Sequence, residues 1–222
     1  MTAVETLTPT ETAVVASVSV RDVNRIIDEK ILPETLYVEA DRTRRFYFDS
    51  CALISFYFKA ANRLTSEERS RTVATAVMRL RESTRWHGLW TDYLKEMDWK
   101  EWTIREEFLT IDLAPFLKHA QERLARLLAA RGRVNKDPRI LGGSPVIKGT
   151  RIPVYDVAAS VAAGLPPERI LEAYPGLSAE DVELAALYAE ANPSRGRPRR
   201  MPEPPAGAVI VSVRHAPRRQ RS

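Results

Sequence analysis

Apolar residues recur at helical spacing almost from the start of the chain, interrupted by capping residues. Thr8-Pro9-Thr10-Glu11 opens a helix, with Thr8 as cap, Pro9 in the first turn and Glu11 closing a capping box before Ala13, Val14 and Ala16. Ser19-Val20-Arg21-Asp22 repeats the device, placing Val20, Val23, Ile26 and Ile27 on one face, so two short helices joined by a tight turn at Ser17-Val18 are predicted. After Pro33 the pattern becomes extended. Leu36-Tyr37-Val38 and Phe46-Tyr47-Phe48 flank Glu39-Ala40-Asp41-Arg42-Thr43-Arg44-Arg45, which predicts a hairpin with a basic tip. Helical spacing then returns. Asp49 is expected to cap a helix through Leu53, Phe56, Tyr57 and Ala60, and Thr65-Ser66-Glu67-Glu68 to box another before Val73, Ala74, Val77 and Leu80. Trp86, Trp90, Trp99 and Trp102 fall at helix-like spacings or around a turn, a packing pattern rather than a base-stacking platform. Glu107 to Ile111 predicts a strand. Asp112 is expected to cap a helix ending by Gly132, with Leu113, Leu117, Leu124, Leu127 and Leu128 facing one way.

From Lys136 to Val154 glycine, proline and apolar residues are packed too tightly for ordinary helix. Asp137-Pro138 and Ser144-Pro145 push the preceding residues toward extended geometry, and Gly142-Gly143 and Gly149 allow positive φ. Pro145-Val146-Ile147 and Arg151-Ile152-Pro153-Val154 read as short strands around a turn. A phosphate loop requires Gly-Lys-Thr at a helix start, whereas the order here is Lys148-Gly149-Thr150 with Pro153 close behind, so nucleotide binding is not expected. Three helices follow: Asp156 starts one that Gly164 stops, Pro166-Pro167-Glu168 opens one to Tyr174, and Ser178-Ala179-Glu180-Asp181 caps one carrying Val182, Ala185, Ala186 and Ala189. The last two are acidic, through Glu172, Glu180, Asp181, Glu183 and Glu190, which argues against phosphate contact there.

The chain has 222 residues, 44% of them apolar, enough for one large domain or two small ones. Its net charge of +5 is concentrated in a tail, where eight Arg against Glu203 after residue 192 give +7 and leave −2 for the rest. Cys51, alone and beside Ala52-Leu53-Ile54, reads as a small buried hydrophobe. The start Met1-Thr2-Ala3-Val4-Glu5 lacks a basic and apolar leader, and no run approaches the roughly 20 apolar residues of a bilayer span. A cytoplasmic protein without membrane association is the expectation.

Several of these motifs are shared with known families. Asp137-Pro138-Arg139-Ile140, Gly142 through Val154, Asp156, Gly164, Glu168 to Leu171, Tyr174-Pro175, Leu177 and Glu180-Asp181-Val182 closely resemble domain-of-unknown-function family four-three-three over Val134 to Asn192. These domains look like VapB-type antitoxins of type II toxin–antitoxin pairs, and the resemblance implies a PIN-like ribonuclease as partner. The first helix pair resembles the helix-turn-helix in its small residue Ala13, its turn residue Val18 and its inward Val23 and Ile26, with Ser17 standing where glycine is usual. The hairpin after it looks like the wing of a MerR-like protein. This resemblance implies operator double-stranded DNA as ligand, with Ser19, Arg21, Asp22, Asn24 and Arg25 reaching the groove and Arg42, Arg44 and Arg45 on the wing. The alternative for those three arginines is a solubilised loop.

The fold class expected is α+β, mainly helical: a winged helix-turn-helix and following helices over residues 1–82, a connecting strand and helix over 83–133, a hairpin plus three-helix module over 134–192, and a basic tail over 193–222. In the tail Val209, Ile210, Val211 and Val213 can add a strand to a partner's sheet edge. A PIN-like nuclease gathers carboxylates around Mg²⁺, so Arg214, Arg218 and Arg219 are the candidates to enter that cluster bidentately. A disordered tail or a nonspecific nucleic-acid anchor is the other reading. His87, His119 and His215 lie in unrelated segments and no Cys-x-x-Cys or His-Glu-x-x-His occurs, so neither catalysis nor a cofactor is expected. The leading function is an antitoxin that neutralises a PIN-like ribonuclease and represses its own operon, as a homodimer within a larger assembly. A stand-alone transcription regulator with a DNA-tracking tail is the alternative.

Overall fold

The computed structural model describes residues 6–40, 43–82, 102–105 and 108–194. Among them are eight α-helices and three two-stranded antiparallel ladders, a mixed α+β chain dominated by helix. Trp86, Trp90 and Trp99, Arg42 and the whole segment from Val209 to Arg219 lie outside the described residues.

The first unit is set by its caps. Helix α1 (Pro9–Ala16) starts on a reciprocal box in which Thr8 Oγ1 accepts from the Glu11 amide at 3.2 Å and Glu11 Oε2 accepts from the Thr8 amide at 2.9 Å. It ends at Ser17, whose φ of 55° and ψ of 48° are left-handed, and the Val18 amide closes back on the Ala13 carbonyl at 3.0 Å. Serine therefore adopts the conformation that glycine supplies without penalty, at about 1 kcal/mol. Helix α2 (Val20–Asp28) follows at once from the Ser19 cap and buries Val23, Ile26 and Ile27.

Strands β1 (Tyr37–Ala40) and β2 (Thr43–Phe46) pair with Glu39 opposite Arg44 and Val38 opposite Arg45. The ladder reaches further than the sequence pattern implies: Arg44 and Arg45 stand in the strand rather than in a tip, and Ala40 is already opposite Thr43. Leu7 and Phe46 exchange both backbone hydrogen bonds at 2.9 Å, tying the hairpin to the segment before α1.

Helix α3 (Phe48–Lys59) begins two residues earlier than expected, with Tyr47 in the cap position. Asp49 thus does not cap it. The side chain is buried inside the first turn, and Ser50 Oγ donates instead to the Tyr47 carbonyl at 2.5 Å. Helix α4 (Ser66–Glu82) starts at the Thr65–Glu68 box. The expected strand at Glu107 to Ile111 moves to β4 (Thr110–Asp112), paired with β3 (Thr103–Arg105), while Phe108 projects into solvent. Asp112 Oδ1 accepts from the Ala114 amide at 2.9 Å at the start of α5 (Ala114–Gly132). Helices α1 to α5 close around one core that includes Leu7, Phe46, Phe56, Val73 and Leu117, together with Trp102 just before β3.

In the C-terminal part β6 (Val146–Ile147) pairs with β5 (Val134–Asn135) on one side and meets the expected partner segment 151–154 on the other, through an antiparallel bridge between Val146 and Pro153. Residues 148–151 do form a turn, since Gly149 has φ 82° and the Ile147 amide reaches the Ile152 carbonyl at 3.0 Å. Pro153 then occupies the cap position and α6 (Val154–Ala162) starts before Asp156, because proline's fixed φ suits a helix entry. Helices α7 (Pro167–Ala173) and α8 (Ala179–Ala191) complete a second core of Ile147, Val154, Val157, Ile170, Val182 and Tyr188. The two cores share α5 and α8: Leu117 and Leu127 belong to the first and Ala130 to the second, while Ala191 reaches back into the first.

Candidate nucleic-acid interface

The outer face of α2 carries Arg21 and Arg25, against Asp22, Asp28 and Glu29. Arg21 is exposed and makes no ion pair among the described residues. Arg25 lies 3.8 Å from Asp22 and 3.7 Å from Glu29, with its guanidinium stacked 4.7 Å from the Phe58 ring centre. Ser19 donates its hydroxyl to Asp22 Oδ2 at 2.7 Å, and Asn24 Nδ2 donates back to the Val20 carbonyl at 3.1 Å. Ser19, Asp22 and Asn24 are therefore held within their own helix, while Arg25 is braced on α3 as well.

The hairpin leans on α2 through Arg44, which meets Asp28 at 2.9 Å and Glu39 at 3.5 Å. These two carboxylates outweigh burial and hold the Arg44 pKa above its ordinary value. Arg45 donates from Nε and Nη2 to the Thr6 hydroxyl and carbonyl at 3.1 and 2.8 Å. Both arginines are pinned at one end rather than free in a loop.

A cleft of about 890 Å³ opens where this hairpin faces the C-terminal part, bringing Asn24, Glu39, Arg44 and Arg45 opposite Lys136 and Tyr155. Tyr155 donates its hydroxyl to the Asn192 carbonyl at 2.8 Å. Lys136 sits 5.8 Å from the Tyr188 ring centre, and the neighbouring Tyr188 side chain holds its pKa above the ordinary value. The sequence offers no sign of this convergence, because Lys136 lies about 90 positions from the hairpin and the docking of α5 and α8 against α1 brings them together.

The C-terminal part is polarised. Residues 133–151 hold Arg133, Lys136, Arg139, Lys148 and Arg151 against Asp137, whereas residues 152–194 hold seven carboxylates against Arg169. Helix α8 packs on α6, α5 and α1, and its exposed charged positions are Glu180, Glu183 and Glu190. Its cap is also a clamp. Ser178 and Asp181 form a reciprocal box, and Arg133 adds a bidentate contact to the buried Asp181 through Nε and, at 3.1 Å, Nη2. The Arg133 bond is the chief reason the Asp181 pKa falls to about 2.

Among the described residues no three His, Cys, Asp or Glu side chains gather as metal ligands, and no helix is long and apolar enough to cross a membrane.

The family described as Protein of unknown function (DUF433) matches residues 134–189. Beyond that module, the protein y4eO of Sinorhizobium fredii, itself uncharacterised, is 53% identical over 218 residues that cover 98% of this chain and 96% of the relative. The chain belongs to the y4eO family. Family membership thus extends over the helical N-terminal part as well as the DUF433 module. The crystal structure of Rv2018 from Mycobacterium tuberculosis aligns over 80% of this chain and 95% of its own with 15% identity and a TM-score of 0.32, too low to carry any argument about shared architecture.

Proposed function

We propose that this y4eO-family protein is a DNA-binding regulator acting as the antitoxin of a type II toxin–antitoxin pair, with α1 and α2 as a helix-turn-helix, β1–β2 as its wing, and a PIN-like ribonuclease as partner of the tail. The observation that carries the DNA half is the left-handed Ser17 turn setting α2 against α1 with Arg21 and Arg25 outward, followed directly by a hairpin braced on α2 by Arg44 and Asp28. Such a unit puts one helix in a major groove and one hairpin beside it. The α2 face is close to neutral, so affinity needs two half-sites and the protein acts as a dimer. The antitoxin half rests on the four-three-three motifs and on the composition of the tail, where Val209, Ile210, Val211 and Val213 would pair with a sheet edge and Arg214, Arg218 and Arg219 would enter the nuclease carboxylates.

One experiment addresses both halves. The full chain is co-expressed with the neighbouring open reading frame and assayed for operator shift and for ribonuclease activity. Arg21→Ala with Arg25→Ala should lose specific operator binding, at about 1–3 kcal/mol per good base contact, while still silencing the nuclease. Deletion of residues 205–222 should do the reverse. Undiminished specific binding by the double variant removes the helix-turn-helix assignment, and full silencing by the truncated chain moves inhibition to the DUF433 module. If no neighbouring product is a nuclease, the protein is a stand-alone regulator.

A further inference from the structure

The cleft between the hairpin and the DUF433 module shares Asn24, Arg44 and Arg45 with the DNA half of that reading, but its opposite wall, with Lys136 and Tyr155, has no part in either half. We infer that it is a phosphate site, gripping the DNA backbone between Arg44 and Arg45 on one wall and Lys136 on the other. The inference rests on the DNA-binding reading above and extends it to the C-terminal module.

Charge comes first: three cations converge on the cleft against Glu39. Preorganisation comes second. Arg44 uses Nη1 and Nε on Asp28 and Glu39, and Arg45 uses Nε and Nη2 on Thr6. A guanidinium has five N–H donors, so each side chain keeps donors for an incoming oxyanion after its position has been fixed. Its conformational entropy is lost on folding rather than on binding. Lys136 is comparably placed, held at Tyr188 with an ammonium that has three donors. Tyr155 closes the far wall by its bond to Asn192 and offers no carboxylate that would repel an anion.

The choice of ligand follows from surroundings. The cleft is open to solvent and continuous with the Asn24 side of α2, so a duplex engaged by Arg21 and Arg25 carries its backbone toward it. A duplex presents about one charge per 1.7 Å of axis, so a phosphate is always near. The protein's own tail, at +7, has the wrong sign to settle among these cations.

The test measures binding of the full-length protein, by fluorescence anisotropy across a salt series, to the duplex upstream of its own gene and to a scrambled duplex. Lys136→Ala should weaken both duplexes by the same factor and reduce the slope of log K against log salt by about 0.9, with Lys136→Arg restoring it. Unfolding midpoints of both variants should match the wild type, since Lys136 is exposed. An unchanged slope in Lys136→Ala, alongside lost specificity in Arg21→Ala with Arg25→Ala, overturns the cleft and leaves the helix-turn-helix standing. Failure of the wild-type chain to bind either duplex overturns the DNA reading itself, and the cleft with it. Calorimetric binding of adenosine monophosphate that needs Lys136, with DNA affinity untouched by the substitution, replaces the backbone by a free nucleotide.

Discussion

Asp49 stands in the first turn of α3 with its carboxyl buried and Oδ1 without a hydrogen-bond partner. Removal from water alone pushes its pKa up to about 8. Burial also drives the Cys51 thiol upward, with a further push from Asp49, so the lone cysteine is an inert core residue. The folded state holds the Asp49 proton between roughly pH 4 and 8 while the unfolded chain, with an ordinary carboxylate, has released it. Folded protein therefore binds more protons in that window, and stability must fall as pH rises through it, by at most about 1.4 kcal/mol per pH unit, then level off above pH 8. Asp49→Asn should flatten that slope and match the wild type near pH 4. Urea midpoints taken from pH 4 to 9 check this; parallel curves for the two proteins would show that Asp49 is solvated. The sequence contains the capping of α1 by Thr8 and Glu11 in full, because that interaction is local over three residues. It misplaces Asp49 because burial is decided by helices that close over the site from α1 and α5.

At the scale of elements, the turn between α1 and α2 decides whether the pair has a fixed crossing. Ser17 accepts a left-handed backbone that L-residues disfavour by about 1–2 kcal/mol, and a glycine there would lose about 0.5–1 kcal/mol of that gain to the freedom of the unfolded chain. Ser17→Gly should consequently stabilise the protein by about 0.5–1 kcal/mol with operator affinity unchanged, as read by thermal unfolding and gel shift together. A destabilised variant would mean that the Ser17 hydroxyl has a structural role. The helix pair, the hairpin and the three-helix module are legible from spacing and caps. Two features are not. Strand β5 is two residues long and earns its pairing only because α5 delivers it to β6, and β3 has no alternation long enough to register. The cleft is equally silent in the sequence, being made by the start of α1, α2 and the hairpin on one side and by Lys136, α6 and the end of α8 on the other.

For the whole molecule the decisive element is α5, which contributes to both cores and carries the charged joints between them. Arg123 Nε donates to the Val14 carbonyl at 2.7 Å, Arg126 meets Glu183 at 2.7 Å, and Arg131 Nη2 meets Glu11 at 2.7 Å. The Arg126 pair is exposed and contributes little. Arg131 is different, because Glu11 is only 3% exposed and binds the cap of α1 with its other oxygen. Removing the guanidinium leaves a buried carboxylate without its cation, at the end of α1 nearest the DUF433 module. Arg131→Ala should cost about 3 kcal/mol, whereas replacing the pair by Glu11→Gln with Arg131→Met should recover much of it. If α5 makes one cooperative body of the chain, hydrogen exchange in α8 and in α3 will accelerate together in Arg131→Ala. Faster exchange confined to α1 and α3, with α8 still protected, would mean that the DUF433 module folds by itself and that operator binding and partner binding are not mechanically joined.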